Sequence, residues 1–123
     1  MVFPGEDWAA TLRREFESED GSFLQVLRDE THWDKQAFHE LASAMRVCCL
    51  ENAEQDDFER WLALGFFYIP AFVRAWTSRP EFPRPDEAYW RRATDLLEEF
   101  SHWFFWGEAP YEEGDIDLDE VLS

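Results

Sequence analysis

The stretch from Trp61 to Trp76, WLALGFFYIPAFVRAW, constrains the fold more than any other part of this sequence. Its first thirteen residues carry no charge, whereas 32% of the whole chain is charged. We expect it to be buried, because exposing so much apolar surface to water is unfavourable. As a helix it is about 24 Å long, but its uncharged part is shorter than the roughly 20 residues that cross a bilayer. It therefore predicts the central helix of a soluble bundle, over about residues 58–77.

The residues before this stretch begin with the pattern of two short helices. Large apolar side chains recur every four residues after an acidic start at residues 6–7, which predicts a first helix that ends near residues 20–21. These side chains are Trp8, Leu12 and Phe16. Ser22 and Gln25 fit a capping box. Residues 22–30 therefore form either a second short helix or a continuation of the first after a break.

A longer helix is predicted over residues 34–53. Asp34 suits its N-cap, and Trp33 and Phe38 occupy the two positions that pair as a hydrophobic staple. Its apolar residues fall within about 100° of one another on a helical wheel and predict a core-facing stripe. They are Phe38, Leu41, Ala42, Met45, Cys48 and Cys49.

The last predicted helix begins at Pro85 and ends before Gly107. Pro85 suits the first helical position, and Gly107 suits the left-handed residue that follows a helix. Phe105 and Trp106 fall at the edges of the core-facing stripe, so the pattern leaves them open to either the core or the surface.

These segments together predict an all-α fold. A chain of 123 residues is close to the commonest size of one domain. We predict a single-domain bundle of four to five helices over residues 1–107, followed by an acidic tail over residues 108–123.

Within the central helix the wheel predicts one broad core face. It consists of Phe58, Trp61, Leu62, Gly65, Tyr68, Ile69, Phe72, Val73 and Trp76. Gly65 lets a neighbouring helix come close, and Pro70 is expected to kink the helix near Phe66. Phe67 falls on the opposite side. Either it packs on a second layer such as the N-terminal helices, or it is an exposed anchor for a partner.

The net charge limits the classes of partner. The chain has 28 acidic and 11 basic residues, a formal charge of -17. Such a charge disfavours direct binding to nucleic acid or to an anionic membrane, because phosphate binding needs Lys and Arg. It favours a basic protein partner. The alternative is a solvated acidic surface that only keeps the protein soluble.

The acidic residues of the loop before the central helix are the predicted partner contacts, together with Phe67. These are Glu51, Glu54, Asp56 and Asp57. We prefer this loop to the acidic tail, because a loop held between two helices loses less entropy on binding. In the alternative reading, Asp56 or Asp57 simply caps the central helix.

No complete motif for catalysis, a metal or a cofactor is visible. Glu99 and His102 match one Glu-x-x-His of di-iron bundles, but the second pair and the further glutamates of such a site are missing. Residues 115–119 imitate the start of an EF-hand loop without its glycine. Cys48 and Cys49 are expected to be buried thiols of a reducing compartment. The N-terminus lacks a signal-peptide pattern, so we expect a cytoplasmic protein.

Three functions are compatible with this sequence. The first is an immunity protein or antitoxin that covers the basic cleft of a toxic nuclease, with aromatic anchors surrounded by steering charges. In overall style the chain resembles the acidic helical immunity proteins of nuclease bacteriocins, although no motif carries the likeness. The second is an accessory or scaffold subunit, or a homo-oligomer. The third is an enzyme or small-ligand carrier with a cavity between aromatic helices.

Overall fold

The computed structural model describes residues 4–109, with side chains from residue 8 onward, and within this range the secondary structure is entirely helical. The five helices are α1 (Pro4–Phe16), α2 (Phe23–Asp29), α3 (Lys35–Asn52), α4 (Arg60–Thr77) and α5 (Glu87–Trp106). The prediction of an all-α, single-domain bundle is confirmed. Most of the predicted acidic tail, residues 110–123, lies outside the described residues.

Three of the helices begin after a residue whose side chain caps them. The side chains of Ser22, Asp34 and Asp86 accept the backbone N–H of the third residue after them, at 3.2, 3.1 and 3.0 Å. Pro85 therefore precedes the N-cap of α5 and is not its first residue. The staple before α3 is also present, since the rings of Trp33 and Phe38 are 5.1 Å apart.

The break between α1 and α2 is real. Ser18 and Gly21 both have left-handed backbone, with φ of 54° and 81°. That conformation cannot continue a right-handed helix. The chain therefore leaves α1 after Phe16, and α2 is a separate helix.

The start of α4 differs from the prediction. Its N-cap is Glu59, which makes no side-chain capping bond. The prediction that Asp56 or Asp57 caps this helix is therefore wrong. Phe58 lies before the helix and packs on Phe104 of α5, with 4.5 Å between the ring centroids, so the acidic residues remain in the loop.

The core lies where α3 contacts α1, α2 and α5, and where α4 packs on α5. The predicted stripe of α3 is fully confirmed, since all six of its residues are buried. In α4 the buried large side chains are Leu62, Phe66, Ile69 and Val73. No helix of the described range is long and apolar enough to span a membrane.

The apolar stretch of α4 is buried on only one side. Tyr68 was predicted in the core but is 54% exposed, whereas Phe66, absent from the predicted face, is completely buried. The reason is the position of two neighbouring helices. Phe16 of α1 lies so close to Gly65 that a Cβ there would overlap its ring. Phe104 of α5 stacks on Phe66 at 4.2 Å.

Phe67 is 72% exposed, so it does not pack on the N-terminal helices. Its exposure agrees with the second alternative, in which the side chain faces solvent. Leu64 is 60% exposed on the same helix. Pro70 lies inside α4, which continues to Thr77.

Candidate interaction surface

The predicted acidic contacts lie at one end of the bundle. Glu51 is in the last turn of α3, and Glu54, Asp56 and Asp57 are in the loop between α3 and α4. All four are exposed. Within the described range, no Lys, Arg or His forms a salt bridge with the three loop carboxylates. Their negative charge is therefore directed to solvent, where it can attract a basic partner.

Both ends of this acidic segment are attached to neighbouring tryptophans. The indole N–H of Trp8 donates a hydrogen bond to the carboxylate of Glu51. The indole N–H of Trp61 donates to Glu59 at 2.6 Å. Arg13 of α1 reaches Glu59 at 4.0 Å and lies 4.1 Å above the ring of Trp61. These contacts hold the loop against the bundle.

Aromatic side chains from the end of α5 lie beside the loop. Phe58 contacts Phe104 and also Phe105, whose ring centroid is 6.3 Å away. Phe58, Phe105 and Trp106 are 36%, 42% and 74% exposed. The ring of Trp106 stacks on His102 at 5.5 Å. A protruding Trp on a rigid helix is the kind of side chain that anchors protein interfaces.

The glycine after α5 brings this helix end close to the loop. Gly107 has a φ of 80°, and a Cβ at this position would lie 3.1 Å from the carbonyl oxygen of Ala53. A larger residue would therefore be strained by its backbone and crowded by the loop. The close approach places the end of α5 next to the acidic loop, where the ring of Phe105 contacts that of Phe58.

We name this surface the acidic-aromatic end. It consists of the exposed carboxylates and rings that the loop and α5 bring together: Glu51, Glu54, Asp56, Asp57, Phe58, Phe105 and Trp106. Phe67 is not part of it. Phe67 lies seven residues beyond the first residue of α4, about 10 Å along the helix. The sequence left Phe105 and Trp106 undecided, because their positions at the edge of a helical stripe do not show which loop lies beside them.

The described residues do not form a cluster of metal ligands. Among them, no group of three His, Cys, Asp or Glu side chains could hold a metal ion. Cys48 and Cys49 are buried and free. Burial raises the pKa of Cys48 to about 12 and also raises that of Cys49, so both remain neutral thiols.

Glu15 is a buried carboxylate that the sequence pattern did not single out. Glu15 is fully buried in α1, and its oxygens accept the backbone N–H of Phe23 at 2.8 and 3.2 Å. Burial raises the pKa of Glu15 to about 7, although the bond from Phe23 acts in the opposite direction. The available signal was its place between Leu12 and Phe16 on the apolar side of α1. Its contacts show that it binds the first backbone N–H of α2.

The chain was also compared with known proteins. No protein-family model, no curated protein and no solved structure matches it.

Proposed function

We propose that this chain is a non-enzymatic acidic protein that binds and neutralises a basic protein partner through its acidic-aromatic end. The supporting observation is that exposed Phe105, next to exposed Trp106 in α5, contacts Phe58 of the loop that carries the acidic residues. An interface of this kind has aromatic anchors that become desolvated and charges at the rim that steer the partner.

The partner that fits best is a nuclease-type toxin, which would make this chain an immunity protein or antitoxin. A nuclease holds a polyanion in a cleft lined with Lys and Arg. A protein of charge -17 competes for such a cleft if it presents its carboxylates on a rigid surface. The bonds from Trp8 and Trp61 supply that rigidity, because they attach both ends of the acidic segment to the bundle.

The test begins with capture of the partner from the native cell and its identification by mass spectrometry. The purified partner is then titrated with the wild-type chain and with two variants, Glu54→Gln/Asp57→Asn and Trp106→Ala. Each variant is expected to weaken binding by about tenfold or more, the usual effect of removing an interface anchor or steering charges. The partner is expected to be basic, and its nuclease activity to be inhibited by the wild-type chain.

The matched control is Glu30→Gln/Glu81→Gln, which removes two exposed carboxylates at the other end of the molecule. It should bind like the wild type. The proposal is contradicted if Glu54→Gln/Asp57→Asn and Trp106→Ala both bind the partner as tightly as the wild type does. A chain truncated after Gly107 separates loop from tail: if only truncation abolishes binding, the acidic tail is the contact.

A second candidate is an accessory subunit or a homo-oligomer. The observation that favours it is the exposed apolar side of α4, formed by Leu64, Phe67 and Tyr68. The same titration includes Phe67→Ser. Loss of binding in this variant alone would show that α4, and not the acidic-aromatic end, carries the interface.

A further inference from the structure

A second feature lies at the opposite end of α4, where the chain forms a cleft of about 260 Å³. One wall is the segment that leads into α3, with Trp33 and Lys35. The other is the segment that leads into α5 and its first turn, with Phe82, Tyr89 and Trp90. The cleft is remote from the acidic-aromatic end, because α4 contains 18 residues and is therefore about 27 Å long.

The walls of this cleft are aromatic and held in place by hydrogen bonds. The indole N–H of Trp33 donates to the hydroxyl of Tyr89 at 3.0 Å. The indole N–H of Trp90 donates to the hydroxyl of Thr77 at 2.6 Å. Phe82 and Tyr89 are buried, and both tryptophans are half-buried. A ligand therefore meets preformed flat surfaces and loses little free energy to their ordering.

The tyrosine also offers a hydrogen-bond donor. Its oxygen accepts the bond from Trp33, and its own proton has no acceptor among the described residues. Burial raises the pKa of Tyr89. The hydroxyl is therefore protonated at neutral pH and can donate to a ligand oxygen.

The charged side chains of the cleft favour an anion. Lys35 lies 4.2 Å above the ring of Tyr89 and forms no salt bridge within residues 8–109. Arg84 lies 5.3 Å above the ring of Trp90. It donates to the backbone carbonyl oxygens of Thr77 and Arg79 and is 3.9 Å from Glu87. Asp86 is the N-cap of α5 and accepts a backbone N–H. The cation that remains for a ligand is Lys35.

A cationic ligand does not fit, although aromatic cages often bind one. Lys35 lies over one face of Tyr89, and Arg84 lies over one face of Trp90. A cationic ligand would be repelled by both side chains. A ligand with a planar apolar group and one negative charge fits better, because the aromatic walls complement its apolar group and Lys35 complements its charge.

We infer that the cleft between Trp33, Lys35 and Tyr89 binds a small aromatic carboxylate, with its ring against the aromatic walls and its carboxylate near Lys35. The size agrees, since a cavity of roughly 150 Å³ already holds benzene. This site is independent of the proposed protein partner, and its ligand would occupy a different end of the molecule.

The test is an NMR titration of the full chain, following the indole N–H signals of Trp33 and Trp90. Benzoate is the probe, and a dissociation constant of about 1 mM is expected for a ligand of this size. Benzyl alcohol should bind roughly fivefold more weakly, because it lacks the charge that pairs with Lys35. Benzylamine and acetate should cause no saturable shift.

Lys35→Gln should weaken benzoate binding several-fold and leave benzyl alcohol binding unchanged. The control Arg60→Gln makes the same charge change at the other end of α4 and should leave both affinities as they are. The inference is overturned if benzoate produces no saturable shift up to about 10 mM, if benzylamine binds better, or if Lys35→Gln weakens both probes equally.

Discussion

At the scale of single residues, Glu15 is unusual because it is an acidic residue that is fully buried. Its carboxylate is buried in α1 and accepts the backbone N–H of Phe23, the first residue of α2. That bond satisfies one of the free N–H groups at the start of a helix. Burial nevertheless disfavours the charged form and raises the pKa of Glu15 to about 7.

The first prediction concerns the pH dependence that Glu15 causes. Its pKa is about 7 when folded and 4.5 ordinarily, so between these values the folded state binds more protons than the unfolded state. The free energy of unfolding therefore falls as pH rises through this window, by up to about 3 kcal/mol. Glu15→Gln removes the titration and keeps an oxygen that accepts the bond from Phe23.

The measurement is urea unfolding of both proteins at pH 5 and pH 8. All other acidic groups are shared, so the difference between the two pH dependences isolates Glu15. Glu17→Gln is the matched control, because Glu17 is exposed on the same stretch. It should follow the wild type. Equal losses of stability in the wild type and Glu15→Gln would show that Glu15 does not titrate in this range.

At the scale of elements, α4 combines a core-facing side with an exposed apolar side. Gly65 lets α1 approach, because the ring of Phe16 occupies the space of a side chain there. Phe66 stacks on Phe104 of α5 on the adjoining face. Leu64 and Phe67 point away from both helices and are largely exposed.

The second prediction compares two adjacent residues of α4. Phe66→Ala should lower the free energy of unfolding by about 3 to 5 kcal/mol, because it leaves a cavity in the core. Phe67→Ala should lower it by less than about 1 kcal/mol, as expected of an exposed position. Chemical denaturation of both variants measures this difference. Similar losses in the two would mean that Phe67 is part of the core.

At the scale of the whole molecule, the bundle carries different charged groups at its two ends. The chain carries -17 charges, and the carboxylates of the α3–α4 loop lie beside the exposed rings of the acidic-aromatic end. The cleft with Lys35 lies at the other end of α4. A basic protein and a small anion would therefore be attracted to different ends of one bundle.

The third prediction concerns the salt dependence of partner binding. Charges act over about 30 Å at 0.01 M salt but only about 8 Å at physiological ionic strength. The association rate should therefore fall several-fold over this range, while the dissociation rate changes little. Stopped-flow or surface-binding kinetics measure both rates. An association rate that does not change with salt would remove the electrostatic part of the proposed function.

Local features of this protein could be predicted from the sequence alone. The N-caps Ser22 and Asp34 and the terminating Gly107 stand where the helices begin and end. The buried stripe of α3 also agrees with its helical wheel. These features depend on residues within one or two helical turns, so neighbouring sequence is sufficient to specify them. The exposure of Glu54, Asp56 and Asp57 follows in the same way from their charge, which disfavours burial.

Other features were decided only by the tertiary structure. Phe66 is buried and Tyr68 exposed because α1 and α5 cover one particular sector of α4. Phe58 meets Phe104, which is 46 residues later in the chain, and this contact assembles the acidic-aromatic end. A helical wheel gives the width of an apolar face but not the directions from which other helices approach. Those directions depend on packing between distant segments, and they determine which apolar side chains remain available to a partner.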